Sequence, residues 1–234
     1  DATAITLTWR LFGNGDTARF KDEPVTQTFT ACAPEVIQWP WRASMFKTFY
    51  VNDGTYRKVG VHRPRNPDPD RVNATRWYDC EGRTLSDKFK NKRIFSNFGQ
   101  PNYKLAQLNH YPLGAMESYV LKADRGRAVH AKDILGLDYW IERNFNTDTD
   151  TSIQTNAEQR TNITQELMAD KVLAKLHKDA VAWRKTRFDA LMEKEPFRAL
   201  FGRLLMAPPS RPVPQKAAKF MVRYANLARQ KAGN

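Results

Sequence analysis

NHYPLGAMESYVLKADRG, residues 109–126, is typical of a strand that ends, turns and continues into a helix. The mixed apolar and polar run over residues 104–108 predicts the short strand. Pro112 and Gly114 predict the turn that follows it. This segment therefore predicts a strand–turn–helix unit within an α/β domain.

Two histidines and two cationic residues, in this unit and at the end of another predicted strand, are candidates for ligand binding. His110 lies at the end of the predicted strand, and the helix after it carries Lys122 and Arg125. His62 ends another predicted strand, and open α/β sheets bind their ligands at strand ends. Imidazole and ammonium groups together can hold a metal ion and a phosphate. A purely structural histidine remains the alternative for each.

The amino-terminal segment adds a second strand and turn. Alternating β-branched and apolar residues predict a strand over residues 5–9. Gly13 and Gly15 follow it in a turn whose backbone N–H groups could approach an anion. The spacing is neither GxGxxG nor a P-loop, so an ordinary loop is the alternative.

The remaining pattern predicts a mixed α/β part over residues 1–145 and a helical tail over residues 146–234. Asp148-Thr149-Asp150 imitates a metal-binding Asp-x-Asp pair, but its polar surroundings favour a solvated turn. The other predicted strands cover residues 45–51 and 56–61; the other predicted helices cover residues 25–33, 135–145, 161 or 162 to about 195, 197–206 and 215–231.

The composition of the chain limits the classes of molecule that it could bind. The chain has 234 residues and a net charge of +13, which points to nucleic acid, an acidic membrane surface or a phosphorylated small molecule, or else to a solvated basic surface. The two cysteines, Cys32 and Cys80, lack metal-site spacing and imply no disulfide framework. We expect a cytoplasmic protein, with the inner face of the membrane as a further possibility.

Three blocks of sequence resemble bacterial family 2 glycosyltransferases of the GT-A type. They are TWRLFGNG over residues 8–15, FKT over 46–48 with GVHRP over 60–64, and NHY over 109–111 with SYVLK over 118–122 and RG over 125–126. Their order is more specific than any one of them. The resemblance covers about residues 1–145 and implies a partial GT-A domain with a Rossmann-like mixed sheet, followed by the helical tail.

The resemblance implies an enzyme that transfers a sugar from a nucleotide-sugar donor to a hydroxyl of a glycan or other acceptor, assisted by Mn²⁺ or Mg²⁺. In that family an Asp-x-Asp pair closes a strand just before the one that opens this chain. We therefore expect this chain to be the C-terminal part of such a domain, without the upstream half, and inactive alone.

The resemblance also implies roles for individual residues. His110 matches the position that completes the metal site, and His62 is a further candidate. Lys47, Lys122 and Arg125 would neutralise the diphosphate. Trp9 and Arg10, with the turn at Gly13 and Gly15, would shape the donor site. Asp53 and Glu117 are the candidate general bases.

The competing hypothesis is a non-enzymatic basic module that binds nucleic acid or an anionic membrane. Cations and aromatic residues are interleaved over residues 57–93, but acidic residues mixed among them argue against nucleic acid. The predicted C-terminal helix is basic and carries Phe220, Met221, Tyr224 and Leu227, so it has the composition of a helix that lies on a membrane surface. Packing on the domain is the alternative.

Overall fold

The computed structural model describes residues 1–126 and 135–232, and it has a mixed α/β architecture with several helices toward the C-terminus. The strands are β1 (Ala4–Leu11), β2 (Ala31–Cys32), β3 (Phe46–Tyr50), β4 (Tyr56–Lys58), β5 (Arg65–Pro67), β6 (Trp77–Asp79), β7 (Leu108–His110) and β8 (Asp148–Thr149). The helices are α1 (Val25–Thr28), α2 (Asp87–Asn91), α3 (Met116–Arg125), α4 (Leu137–Ile141), α5 (Ala157–Ala169), α6 (Lys171–Met192), α7 (Glu195–Met206) and α8 (Gln215–Ala232).

The main sheet is built around β1, which confirms the strand predicted from the alternation at the amino terminus. β3 pairs with β1 antiparallel, with Leu7 opposite Lys47. β6 pairs in parallel with the beginning of β1, and β7 pairs in parallel with its end, where Leu11 lies opposite His110. The mixed sheet therefore places the ends of two parallel strands, β1 and β7, side by side.

Two small pairings depart from the expectations. The helix predicted over residues 25–33 ends at Thr28, because Ala31 and Cys32 pair antiparallel with Thr149 and Asp148. Asp148 and Thr149 therefore form a two-residue strand rather than a turn, and Asp150 directly follows it. Local sequence could not show this pairing, because its two strands are more than a hundred residues apart.

Other elements are shorter than or shifted from their predicted bounds. The strand predicted over residues 104–108 lies instead at Leu108–His110, and the strand predicted over 56–61 stops at Lys58. The helix predicted over residues 135–145 is confined to Leu137–Ile141. The Pro-rich segment over residues 63–83, predicted as a long excursion with a small hairpin around Glu81-Gly82, contains β5 and β6, and Tyr78 pairs antiparallel with Thr84 across that turn.

The long helix predicted to run to about residue 195 is two helices. Asp170 adopts an extended conformation, and its side chain accepts hydrogen bonds from the backbone N–H groups of Val172 and Leu173 at 2.8 and 3.1 Å. This is an N-cap, which satisfies N–H groups that begin a helix. The apolar periodicity continues across Asp170, so it concealed the break. The predictions of α7 and α8 are confirmed.

The chain forms two compact units, each with its own core. The first unit contains Asp1–Leu11, Ala33–His110 and Arg211–Asn234, and its core includes Phe46, Trp77 and Phe89.

The second unit contains Phe12–Cys32 and Tyr111–Ser210, and its core includes Tyr119, Trp140, Leu191 and Leu204. Both units draw on sequence from either side of residue 146. Among the described helices, none combines the length and apolar character needed to cross a bilayer.

Candidate functional site

Four of the residues expected at a donor site come together in the first unit. The rings of Trp9 and His110 stack with centroids 4.1 Å apart and an interplanar angle of 20°. His62 packs against the same indole, tilted, at 5.5 Å. The Lys47 ammonium lies 5.9 Å from the centroid of the indole ring. We call these residues the Trp9 cluster.

The sheet places the Trp9 cluster at strand ends. Trp9 is near the end of β1, and His110 is the last residue of β7, which runs parallel to it. Lys47 comes from the antiparallel neighbour β3. Each of the four side chains is partly exposed. The cluster thus occupies the edge where open α/β sheets bind ligands.

The hydrogen bond of His62 decides which of its ring nitrogens carries a proton. Nδ1 lies 3.0 Å from the carbonyl oxygen of Phe46, which can only accept, so Nδ1 donates. In the neutral ring Nε2 is then the nitrogen with a lone pair. Burial lowers the pKa of His62 below its ordinary 6.5, the Phe46 hydrogen bond opposes this, and the charges of Lys47 and Arg65 lower it further. His62 is therefore a neutral imidazole near pH 7.

Among residues 1–126 and 135–232, Lys47 has no carboxylate partner. Its Nζ donates to the carbonyl oxygen of Val61, and burial lowers the pKa of the ammonium. An ammonium has three donors, so this bond leaves donors for a further acceptor. The arrangement suits an anion that approaches the indole edge.

Arg10 points away from the cluster, because successive side chains of a strand face opposite sides. It is 9% exposed, donates to the carbonyl oxygen of Ala33 and the side chain of Gln107, and lies 3.8 Å from the Glu35 carboxylate. These contacts hold the interior of the first unit together. The structure does not bring Arg10 together with Trp9.

Asp53, one candidate base, lies in the turn between β3 and β4. Its Oδ1 accepts the backbone N–H of Thr55 at 2.9 Å, and its carboxylate pairs with Arg71 at 3.4 Å. The Thr55 hydrogen bonds are the main cause that lowers its pKa, and Arg71 adds to them. A carboxylate stabilised in this way is a weaker proton acceptor.

The second unit contains the predicted glycine turn, and its N–H groups are occupied. We call residues 13–17 the glycine loop. Asn14 N–H donates to Asn144 Oδ1 at 2.9 Å, and Gly15 N–H donates to Asn146 Oδ1 at 3.2 Å. Gly13 N–H donates to the Ala31 carbonyl at 3.0 Å. The loop is therefore held by the chain itself, and these N–H groups are not presented to an anion.

Packing explains the glycine at position 13. A Cβ there would lie 1.9 Å from Asn146 Oδ1 and 2.5 Å from the carbonyl oxygen of Phe145. Asn14 and Asn144 are 0% and 1% exposed, so their amides form a buried polar network. The roles of Asn144 and Asn146 were not predicted from the sequence. The only signal was the pair of asparagines on either side of Phe145.

The remaining predicted residues lie on α3 of the second unit. Glu117 accepts from Arg19 Nη1 at 2.6 Å and from the backbone N–H of Phe20 at 2.8 Å. Lys122 donates to the Pro112 carbonyl and to the Tyr139 hydroxyl, the latter at 3.2 Å. Both side chains anchor α3 to neighbouring segments. Arg125, in the last turn of α3, is exposed.

Metal-binding potential is limited to single side chains. Within residues 1–126 and 135–232, no group of three or more histidine, cysteine, aspartate or glutamate side chains converges. Cys32 and Cys80 are both buried and are not joined by a disulfide. His110, and His62 through Nε2, fit as individual ligands whose partners would come from a bound diphosphate or from other carboxylates.

Comparison with known proteins adds no assignment. No protein-family model, curated protein or solved structure matches the chain. The function of the chain is therefore inferred from the Trp9 cluster and from the sequence blocks that form it.

Proposed function

We propose that this chain is the C-terminal part of a GT-A glycosyltransferase domain, which transfers a sugar from a nucleotide-sugar donor to a hydroxyl of a glycan or other acceptor. The observation that carries the proposal is the Trp9 cluster. Three sequence blocks that resemble family 2 glycosyltransferases converge there, at the ends of β1 and β7.

Each member of the cluster has a role in the proposal. Trp9 forms an apolar wall of the donor site. Lys47 directs its remaining donors toward the diphosphate and offsets charge that grows on the leaving group, which is where such a group contributes most to rate. His110 contributes a metal ligand, and His62 is oriented by its bond to Phe46 in the manner common for metal-binding histidines.

Mn²⁺ or Mg²⁺, when bound, would neutralise the donor diphosphate. Because the described residues supply isolated histidines only, the proposal places the other protein ligands in an upstream Asp-x-Asp segment. Lys122 and Arg125, which lie in the second unit, stay candidates for neutralising the diphosphate, although Lys122 makes hydrogen bonds within its own unit. The general base stays between Asp53 and Glu117, although each carboxylate is held by contacts of its own.

The test measures binding of a nucleoside diphosphate by calorimetry, with and without Mn²⁺. It uses the protein made from the complete reading frame, with this chain alone in parallel. The proposal expects metal-dependent affinity in the complete protein. Lys47→Gln should weaken it about tenfold, as expected for loss of a charge-assisted hydrogen bond. His110→Asn should reduce the dependence on Mn²⁺.

Lys58→Gln is the matched control, because Lys58 is an exposed lysine on the neighbouring strand β4. It removes the same charge and should bind as the wild type does. Absence of nucleotide binding by the complete protein, or equal losses in the Lys47 and Lys58 variants, would overturn the proposal.

A further inference from the structure

The C-terminal helix α8 carries an exposed apolar stripe. Phe220, Tyr224 and Leu227 are spaced i, i+4 and i+7 and therefore share one side of the helix. Their exposed fractions are 59%, 57% and 41%. The rings of Phe220 and Tyr224 contact each other with centroids 4.8 Å apart. Aromatic side chains are thus gathered in one patch on the outside of the helix.

A different side of α8 is buried. Ala218 is fully buried, and Val222 and Ala225, at i+4 and i+7 from it, are partly buried. The apolar stripe is therefore separate from the contact that attaches the helix. A helix that needed its apolar residues only for packing would bury the large ones, whereas α8 buries the small ones.

Charge along α8 has one sign. Lys216, Lys219 and Arg223 are spaced i, i+3 and i+7, and all three are exposed. The last acidic residue of the chain is Glu195, so no carboxylate in the sequence beyond it offsets these cations. A cationic face beside an exposed aromatic stripe is the combination found in helices that lie in the interface of an anionic bilayer.

We infer that α8 docks on an anionic membrane surface. Its stripe of Phe220, Tyr224 and Leu227 enters the boundary between headgroups and acyl chains, and its cations remain among the anionic headgroups. A second copy of this chain is a poorer partner, because apposed α8 helices would bring like charges together. A nucleic acid would meet the cations but would leave the aliphatic Leu227 unpartnered.

Binding to lipid vesicles tests the inference with the full chain. Wild-type protein should float with vesicles of phosphatidylcholine and phosphatidylglycerol and should not float with phosphatidylcholine alone. Added salt should weaken the binding, because exposed charges are screened. Lys216→Gln/Lys219→Gln/Arg223→Gln should lower the affinity about a hundredfold, since each basic residue near such a surface contributes about fivefold. Phe220→Gln/Tyr224→Gln/Leu227→Gln should also abolish flotation.

Helix α6 provides matched controls. Lys171→Gln/Lys175→Gln/Lys178→Gln removes the same charge from exposed positions, and Val172→Gln/Leu176→Gln/Trp183→Gln removes three apolar side chains that are 67%, 58% and 61% exposed. Both control variants should bind vesicles as the wild type does. Circular dichroism establishes that each variant is folded before its binding is compared.

A fluorescent label reports the orientation of the bound helix. Cys32 and Cys80 are buried, so a cysteine introduced by Tyr224→Cys can be labelled selectively. An environment-sensitive dye at this position should shift to the blue when anionic vesicles are added. The same dye on Asn226→Cys, an exposed position away from the stripe, should shift little.

Four results would overturn the inference. They are equal binding to neutral vesicles, unchanged binding by both α8 variants, equal dye shifts at the two labelled positions, and binding to a double-stranded DNA of random sequence without binding to vesicles. None of these measurements uses a nucleoside diphosphate or a nucleotide sugar, so the outcome is independent of the proposed transferase activity.

Discussion

The Trp9 cluster and the glycine loop both contain groups that can bind an anion, yet the fold uses them differently. In the cluster, Lys47 makes a hydrogen bond to one carbonyl and retains further donors, and His62 directs one nitrogen to Phe46. In the loop, Asn144 and Asn146 accept the very N–H groups that an anion would need. The residue type therefore determines whether a group can bind an anion. Partners distant in sequence determine whether that group is already occupied by a hydrogen bond within the chain.

The strongest test of this contrast is Gly13→Ala. The added methyl group would meet the Phe145 carbonyl at 2.5 Å, and backbone cannot move aside as a long side chain can. We expect a loss of about 2–3 kcal/mol in the free energy of unfolding, typical of overpacking. Urea denaturation followed by circular dichroism measures it.

The matched control is Gly202→Ala in α7 of the same unit, where a Cβ would meet nothing within 4 Å. Alanine is the better helix former, so this variant should gain up to about 1 kcal/mol. If Gly13→Ala were as stable as the wild type, the glycine loop would not be packed as described.

A smaller loss should follow Asn144→Ala. Removing Oδ1 leaves the buried N–H of Asn14 without its acceptor, which should cost about 1–3 kcal/mol. Asn146→Ala is the comparison, because the Gly15 N–H that it serves is exposed and can turn to water. Thermal unfolding of the two variants should rank Asn144→Ala as the less stable. The reverse order would contradict the buried network.

The two buried cysteines allow the units to be compared directly, because Cys32 lies in the second unit and Cys80 in the first. Burial is the main cause that raises the pKa of Cys80 to about 11, so its thiol should not react with a disulfide reagent at pH 8. In Gly13→Ala, labelling of Cys32 should accelerate severalfold more than labelling of Cys80, because the damage is local. Mass spectrometry of labelled peptides measures both rates. Equal acceleration would show that the units open together.

The smallest expected effect is the titration of His62. Because its folded-state pKa lies below 6.5, the unfolded chain takes up the proton first as pH falls. Protonation of His62 therefore has no effect on the free energy of unfolding above pH 6.5. As the pH drops below that value, it begins to lower the free energy of unfolding. Lys47→Gln should raise the His62 pKa, since it removes a nearby positive charge. Two-dimensional NMR of the imidazole nitrogens follows the titration and the Nδ1–H tautomer. A midpoint at or above 6.5 in the wild type would contradict this environment.

Sequence predicted the elements whose signals are local. The alternation at Ile5–Trp9 and the amphipathic pattern of α8 gave elements close to the observed ones, and the turn before α3 was also predictable. Asp170 was missed as a helix break, because apolar periodicity outweighed a single capping residue. The hairpin around Glu81-Gly82 was predictable from its local turn, whereas the pairing of its strand Trp77–Asp79 with β1 was not, because that pairing joins residues more than seventy positions apart.

In the candidate site, too, the residue types were predictable from the sequence, and their contacts were not. Trp9, Lys47, His62 and His110 each lie near a predicted strand, and their meeting depends on the sheet register, which local sequence does not encode. Lys122 and Glu117 have the residue types expected for a site, but Pro112, Tyr139 and Arg19 occupy them. Those partners could be identified only from the folded chain.

The pairing of β1 has a consequence for synthesis on the ribosome. β1 is made before its parallel partners β6 and β7, which end near residues 79 and 110. At about 5–20 residues per second, completing those partners takes roughly 5–20 s after β1 itself is made. During that interval the edge of β1 that β6 and β7 later cover stays unpaired, while β3 can already cover the other edge. A nascent chain that has passed residue 50 therefore needs a chaperone at one edge of β1 until residue 110 has been made.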